Sequence, residues 1–171
     1  MDFKNAKELL ELCQNQNLPI SEIMLRREMT EGEMPEEEAR SRMARALAIM
    51  KESAHTPIQT PVRSMGGLIG GEAEKLASHQ AAGRGICGDV LEKAITYAVA
   101  VLETNASMGL IVAAPTAGSA GVVPGMLLAL QECHSFSDND LTKALFNAGA
   151  IGYLAMRNAT VAGAVGGCQA E

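Results

Sequence analysis

Cys168 stands directly behind Gly166 and Gly167 in the run GGCQAE, within the apolar, glycine-rich end of the sequence. A thiolate is both a nucleophile and a soft metal ligand, and glycines before it let the backbone come close to whatever it binds. Two other stretches carry chemistry that suits such a neighbour. In SMGGLIGGEAEKL, Ser64 precedes the pairs Gly66-Gly67 and Gly70-Gly71, and a charged helix start follows. A glycine-rich loop running into a helix N-terminus can cradle an anion with backbone N–H groups; a plain flexible turn is the other reading, and the pattern is neither a Walker loop nor GxGxxG. In NASMGLIVAAPTAGSAGVVPGML, the small polar residues Asn105, Ser107, Thr116 and Ser119 sit in a segment with no charge from Thr104 to Gln131. They either satisfy backbone groups at helix starts or bind a ligand, and both readings stay open. From residue types alone, these stretches suit an anionic small-molecule site beside a reactive or metal-bound thiolate.

Other chemistries find little support. His55, His79 and His134 are scattered without ligand spacing, and there is no GxSxG, HExxH or Rossmann fingerprint. Cys13, Cys87 and Cys133 show neither CxxC spacing nor a pairing pattern, so they read as small buried hydrophobes. With a charged first turn in place of a secretory leader, a reducing cytoplasm is the expected home. The formal net charge of −6, the lack of a basic stripe and the 3% aromatic content argue against nucleic acid. The uncharged segment is long enough for a membrane span, but Pro115, Pro124 and its glycines interrupt it. A buried loop with helix starts is expected there, its small polar groups facing a protected site.

The elements that must position these residues are helical. The 171 residues are 47% hydrophobic, with ten Met and no Trp, a composition that favours close-packed helices over sheet. NAKELLELCQNQ is a first helix, stopped by Asn17 to Pro19, and PISEIMLRREM a second. The third starts at Pro35, has Glu36 to Glu38 at the positive end of its dipole and pairs Arg40 and Arg42 with glutamates four residues earlier. Its apolar stripe is Ala39, Met43, Leu47 and Met50, and Pro57 and Pro61 are expected to break it. Asp89 and Glu92 suggest a capping box for VLEKAITYAVAVLET, which is apolar almost all round and therefore central. Ser137 and Asp140 cap a last long helix with Leu141, Leu145, Ala148, Ile151 and Ala155 at helical spacing, and Gly149 and Gly152 permit a close neighbour. The expectation is one all-α domain over residues 1–171, with peripheral helices in 1–55 and a core with glycine-rich active-site loops in 64–171.

SMGGLIGGEAEKL, NASMGLIVAAPTAGSAGVVPGML and GGCQAE, in this order, closely resemble the α chain of the bacterial iron–sulfur-dependent L-serine dehydratases. The resemblance covers the chain from about Ser64 onward; the N-terminal third is compatible and less diagnostic. It implies deamination of L-serine to pyruvate and ammonia without pyridoxal phosphate. A [4Fe–4S] cluster would be held by three cysteines, its open iron acting as a Lewis acid on the serine hydroxyl. Cys168 would be the first ligand. The other two belong to a C-D-P segment and a later cysteine that this sequence does not contain, so the resemblance also implies a chain incomplete at its C-terminus and inactive by itself. Ser64, Gly66, Gly67, Asn105, Ser107, Thr116 and Ser119 are the substrate-binding candidates. The general base is expected on a partner β chain, in an oligomer, with neither nucleic acid nor membrane involved. A non-catalytic helical binding or assembly module is the alternative.

Overall fold

The computed structural model describes residues 2–159 and 163–167. Its elements are α1 (Ala6–Gln16), α2 (Ile20–Glu31), α3 (Glu36–Gln59), α4 (Glu72–Ala81), α5 (Asp89–Ala106), α6 (Val122–His134), α7 (Asp138–Asn158) and the single turn α8 (Gly163–Gly166). Among the described residues there is no strand, and the chain is one all-α domain as expected.

Local rules set most helix boundaries. Asn17 takes the left-handed conformation that ends α1, at φ 52°, a position Asn tolerates better than most residues. Ser137 and Asp140 form the expected capping box: the serine side chain accepts the Asp140 N–H while the Asp140 carboxylate accepts the Ser137 N–H. Glu36–Arg40 and Glu38–Arg42 pair along the exposed face of α3, and Ala39, Leu47 and Met50 are buried on its other face.

Two apolar clusters make the core. Leu47, Met50 and Ala54 of α3, Tyr97 and Val101 of α5, Leu128 of α6 and Leu141 and Leu145 of α7 form the first. Phe3, Leu9, Ile23, Leu25, Ala39, Phe146 and Ala150 contribute to the second. Helices α3 and α7 pass through both and join them. Helix α5 is central, packing on α3, α4 and α6, yet Leu91, Ile95 and Leu102 on its apolar surface stay exposed.

Four expectations need correction. Pro57 does not break α3; it is buried inside the helix. Proline removes the N–H that would bond the carbonyl four residues back, and that carbonyl, Ser53 O, accepts the Thr104 hydroxyl of α5 at 2.8 Å. Pro61 does end the helix, since the residue before a proline is pushed from helical to extended backbone and Thr60 is extended. Asp89 is not a cap: Gly88 takes that place without a side-chain bond, and Glu92 accepts the Cys87 N–H at 2.7 Å. On α7 the buried face turns from Leu141 and Leu145 to Phe146 and Ala150, leaving Ile151 and Ala155 exposed. Nor do Gly149 and Gly152 make the close approach: a Cβ at Gly149 would lie 4.0 Å from Met24, and at Gly152 it would meet open space. Gly121 and Gly125 do so. A Cβ there would fall 2.5 Å from the Ala98 carbonyl and 2.6 Å from the Ala94 carbonyl, so α6 lies on the α5 backbone.

Candidate active site

The C-terminal end of α5 gathers the segments of interest. Glu103, Thr104 and Asn105 are consecutive, and at about 100° per residue successive helical side chains face different neighbours. Glu103 Oε1 accepts the Ala73 N–H at the start of α4, at 2.8 Å. Thr104 donates to Ser53 O of α3. Asn105 Nδ2 donates to Ala117 O at 3.4 Å. Helix α5 then closes in a Schellman pattern, with Gly109 N–H bonded to Thr104 O and Met108 N–H to Asn105 O. Met108, at φ 64°, carries the left-handed position that glycine usually fills. Ser107 Oγ donates to Thr104 O at 3.0 Å, within the same helix end.

Thr116 and Ser119 lie together in the turn after the cis Ala114–Pro115 bond. Their hydroxyls are 2.9 Å apart, and Ser119 Oγ donates to Ala114 O at 3.0 Å. These groups satisfy their own turn. The loop between α5 and α6 is also less buried than expected: Met108 to Leu110 are exposed, and only Ala120 and Gly121, at the start of α6, are buried.

Ser64, Gly66 and Gly67 form a separate loop. Ser64 N–H bonds Ile69 O, Ile69 N–H returns to Ser64 Oγ at 3.1 Å, and Gly67 N–H bonds Ser64 O. A Cβ at Gly66 or Gly67 would meet nothing within 4 Å, so one side of the loop is open. Gly70 is the tight point, since a Cβ there would fall 2.0 Å from Val62 O. Among the described residues no hydrogen bond joins Ser64, Gly66 or Gly67 to Asn105, Ser107, Thr116 or Ser119; the two groups connect through Glu103 and α4.

The start of α4 is not free to cradle a foreign anion, because the chain's own carboxylates occupy it. Glu72 accepts the Gly70 N–H at 2.6 Å. That bond first, then its own N–H, hold the Glu72 carboxyl below the usual range. Glu103 is buried at 1% exposure. Sequence reasoning missed it. The one local signal was its place as the last charge before the uncharged segment.

A second polar cluster joins α3, α5 and α6. Glu132 accepts Lys93 Nζ at 2.6 Å and the Tyr97 hydroxyl, and His55 Nε2 lies 3.9 Å from it. Burial pushes the Tyr97 hydroxyl up, with the Glu132 bond adding to it. Burial also works to raise Glu132, but the Lys93 and Tyr97 bonds outweigh it and hold Glu132 down. A cleft of about 340 Å³ beside this cluster is lined by Gln80, Asp89, Lys93 and Thr96 among others. An apolar cleft of about 640 Å³ lies between α5 and α6, with Leu91, Ile95, Val122 and Met126. None of the seven substrate candidates lines either cleft.

Metal ligands do not converge among the described residues: no three His, Cys, Asp or Glu side chains form a possible metal site. Cys13 on α1 and Cys133 on α6 are half-buried, whereas Cys87, expected to be buried, is exposed. Cys168, together with Gln169 and Glu171, lies outside the described residues. No described helix is long and apolar enough to cross a membrane.

This all-helical chain, with its loops gathered at the end of α5, belongs to the serine dehydratase alpha chain family, whose model matches residues 15–171. It is 40% identical over 169 residues to the "Probable L-serine dehydratase, alpha chain" of Bacillus subtilis (strain 168), covering 99% of this chain and 56% of that protein. It is 36% identical to the "L-serine dehydratase, alpha chain" of Peptoniphilus asaccharolyticus, covering 99% of this chain and 58% of that one. It is 31% identical to "L-serine dehydratase TdcG" of Escherichia coli (strain K12), covering 38% of that protein. The chain thus spans little more than half the length of the two α-chain relatives.

Proposed function

We propose that this chain is the α-chain part of an L-serine dehydratase that deaminates L-serine to pyruvate and ammonia with an iron–sulfur cluster. The observation that carries the reading is the family match over residues 15–171, within which lie all seven substrate candidates and Cys168.

In this reading the chain's own residues bind and orient the amino acid. The open side of the Gly66-Gly67 loop admits a small molecule to the backbone. Asn105, whose present bond to Ala117 O is long, turns its amide toward the substrate carboxylate, an interaction that favours a charged acceptor. Thr116 and Ser119 keep the facing turn in shape. A [4Fe–4S] cluster held by Cys168 together with further thiolates would supply the Lewis acid for the hydroxyl group. A base from the β part removes the α-proton. The exposed apolar residues around α5 support the view that other parts of an assembly cover this end.

The test uses this chain assembled with the remaining parts of the enzyme, prepared without oxygen. Serine-dependent pyruvate release, with iron, sulfide and visible absorbance of a cluster, is the expected result, and Cys168→Ser should abolish both. Asn105→Ala should keep the cluster's absorbance and lower turnover or affinity by roughly ten- to a hundred-fold, as expected for a lost hydrogen bond to a charged group. Full activity in Cys168→Ser would overturn the reading.

A further inference from the structure

We infer that Glu103 is a positioning residue for the proposed serine site, tying the start of α4 to the end of α5 and so fixing the base of the Ser64–Gly71 loop. The inference rests on the function proposed above and adds to it a residue outside the seven candidates.

The geometry is specific. Glu103 is 1% exposed, and its Oε1 accepts the Ala73 N–H at 2.8 Å. Its Oε2 is buried, and no N–H or hydroxyl among the described residues donates to it. A buried side chain with one oxygen unpartnered is held in place by the bond its other oxygen makes, here to the first turn of α4. Beside it, exposed Glu72 accepts the Gly70 N–H at 2.6 Å.

The bonds then run in a chain. Gly70 N–H donates to Glu72, and the N–H of the next residue, Ala73, donates to Glu103. This bracket encloses Gly70 and Gly71 and fixes the base of the open loop. On the next two residues Thr104 holds α3 through the carbonyl that Pro57 leaves unpaired, and Asn105 holds the Thr116–Ser119 turn. The end of α5 is therefore a hub on which both candidate loops are mounted.

The bond that Glu103 makes is an accepted one, so it has a distinctive signature: glutamine can replace the glutamate. In Glu103→Gln the side-chain oxygen still accepts Ala73 N–H. In Glu103→Leu the volume is similar and that bond is lost. Hydrogen exchange on this full chain should show amides in residues 66–73 exchanging about ten-fold or more faster in Glu103→Leu, with α1 and α2 unchanged and Glu103→Gln like the wild type. In the assembled enzyme Glu103→Leu should raise KM for L-serine by roughly ten- to a hundred-fold, with a smaller effect on kcat, and Glu103→Gln should restore KM to within about two-fold. The inference is overturned if Glu103→Gln fails as badly as Glu103→Leu, or if exchange rises uniformly over all helices. Should Glu103→Leu not fold, Glu72→Ala opens the bracket from its exposed side, and unchanged exchange at residues 70 and 71 would be equally fatal. An assembled wild-type enzyme inert toward L-serine would refute the proposed function, while the exchange measurements would still decide the bracket.

Discussion

The two ends of this helical domain close in opposite ways. At the α1–α2–α7 end, Phe3, Ile23, Leu25 and Phe146 are almost wholly buried, and a polar seal covers them. Asp2 accepts from Arg27, Tyr153 and Arg157 at 3.1, 2.7 and 2.9 Å, and the Arg27 guanidinium lies 3.7 Å over the Tyr153 ring. At the α4–α5–α6 end the bonds of Glu103 and Thr104 go inward, to Ala73 and Ser53, and the apolar side chains face out. Leu68 is 90% and Ile86 95% exposed, and Leu91, Ile95, Val122 and Met126 line an uncovered cleft. One end is finished by its own residues. The other spends its hydrogen bonds on holding loops in place and keeps an apolar surface of the kind that marks an interaction site.

If that contrast is real, damage to the α5–α6 contact should be the most severe. Gly125→Ala puts a methyl group 2.6 Å from the Ala94 carbonyl and 3.1 Å from the Ala98 nitrogen, both backbone atoms that cannot swing away. A loss of about 3 kcal/mol is expected, at the upper end of ordinary overpacking, read by denaturant unfolding. Gly152→Ala is the control: its Cβ meets open space, and in a helix interior it should gain about 1 kcal/mol. Next comes Thr104→Val, which leaves Ser53 O without its donor and should cost about 1–3 kcal/mol in the same measurement.

These sites also mark the limit of what the sequence discloses. Helix identity and most boundaries were legible because their causes are local: Asn17 in a left-handed turn, the Ser137–Asp140 box, the Glu–Arg pairs of α3. The misreadings have remote causes. Whether a glycine meets a neighbour depends on the rotation of its helix in the packed fold, so the close approach expected at Gly149 and Gly152 is made at Gly121 and Gly125. Pro57 obeys the local rule by leaving Ser53 O unpaired, but the donor that rescues the helix is 51 residues away. Glu103 gave no sign of its role because its partner N–H lies 30 residues upstream. At the candidate site, residue types singled out the segments, while the grouping of Asn105 with Thr116 and Ser119, apart from Ser64, required the fold. Cys168 was readable only through its motif.

The smaller predictions concern the closed end and its neighbour α7. Ser137→Ala removes a cap that satisfies the Asp140 N–H and should cost about 1 kcal/mol, seen as a lower midpoint in thermal or denaturant unfolding.

The smallest effect should come from the seal over Phe3, and it has a definite pH sign. The hydrogen bond from Tyr153, with further help from Arg27 and Arg157, holds the Asp2 carboxyl down at about 2, below its usual value of 3.8. A carboxyl lowered on folding favours the folded state when both states are ionised, above about 4. That contribution fades as pH falls from about 4 toward 2, where the folded form takes up its proton. Asp2 is 37% exposed as a side chain, so water screens the pairing and the contribution should stay below that of the Ser137 cap. Asp2→Asn should therefore lower stability slightly at pH 7 and flatten the acid limb of the stability curve between pH 4 and 2. Unfolding followed across that range for both proteins is the measurement. An acid limb unchanged in Asp2→Asn would mean that the closed end is held by its apolar packing alone, and that the contrast between the two ends lies in burial and not in the polar seal.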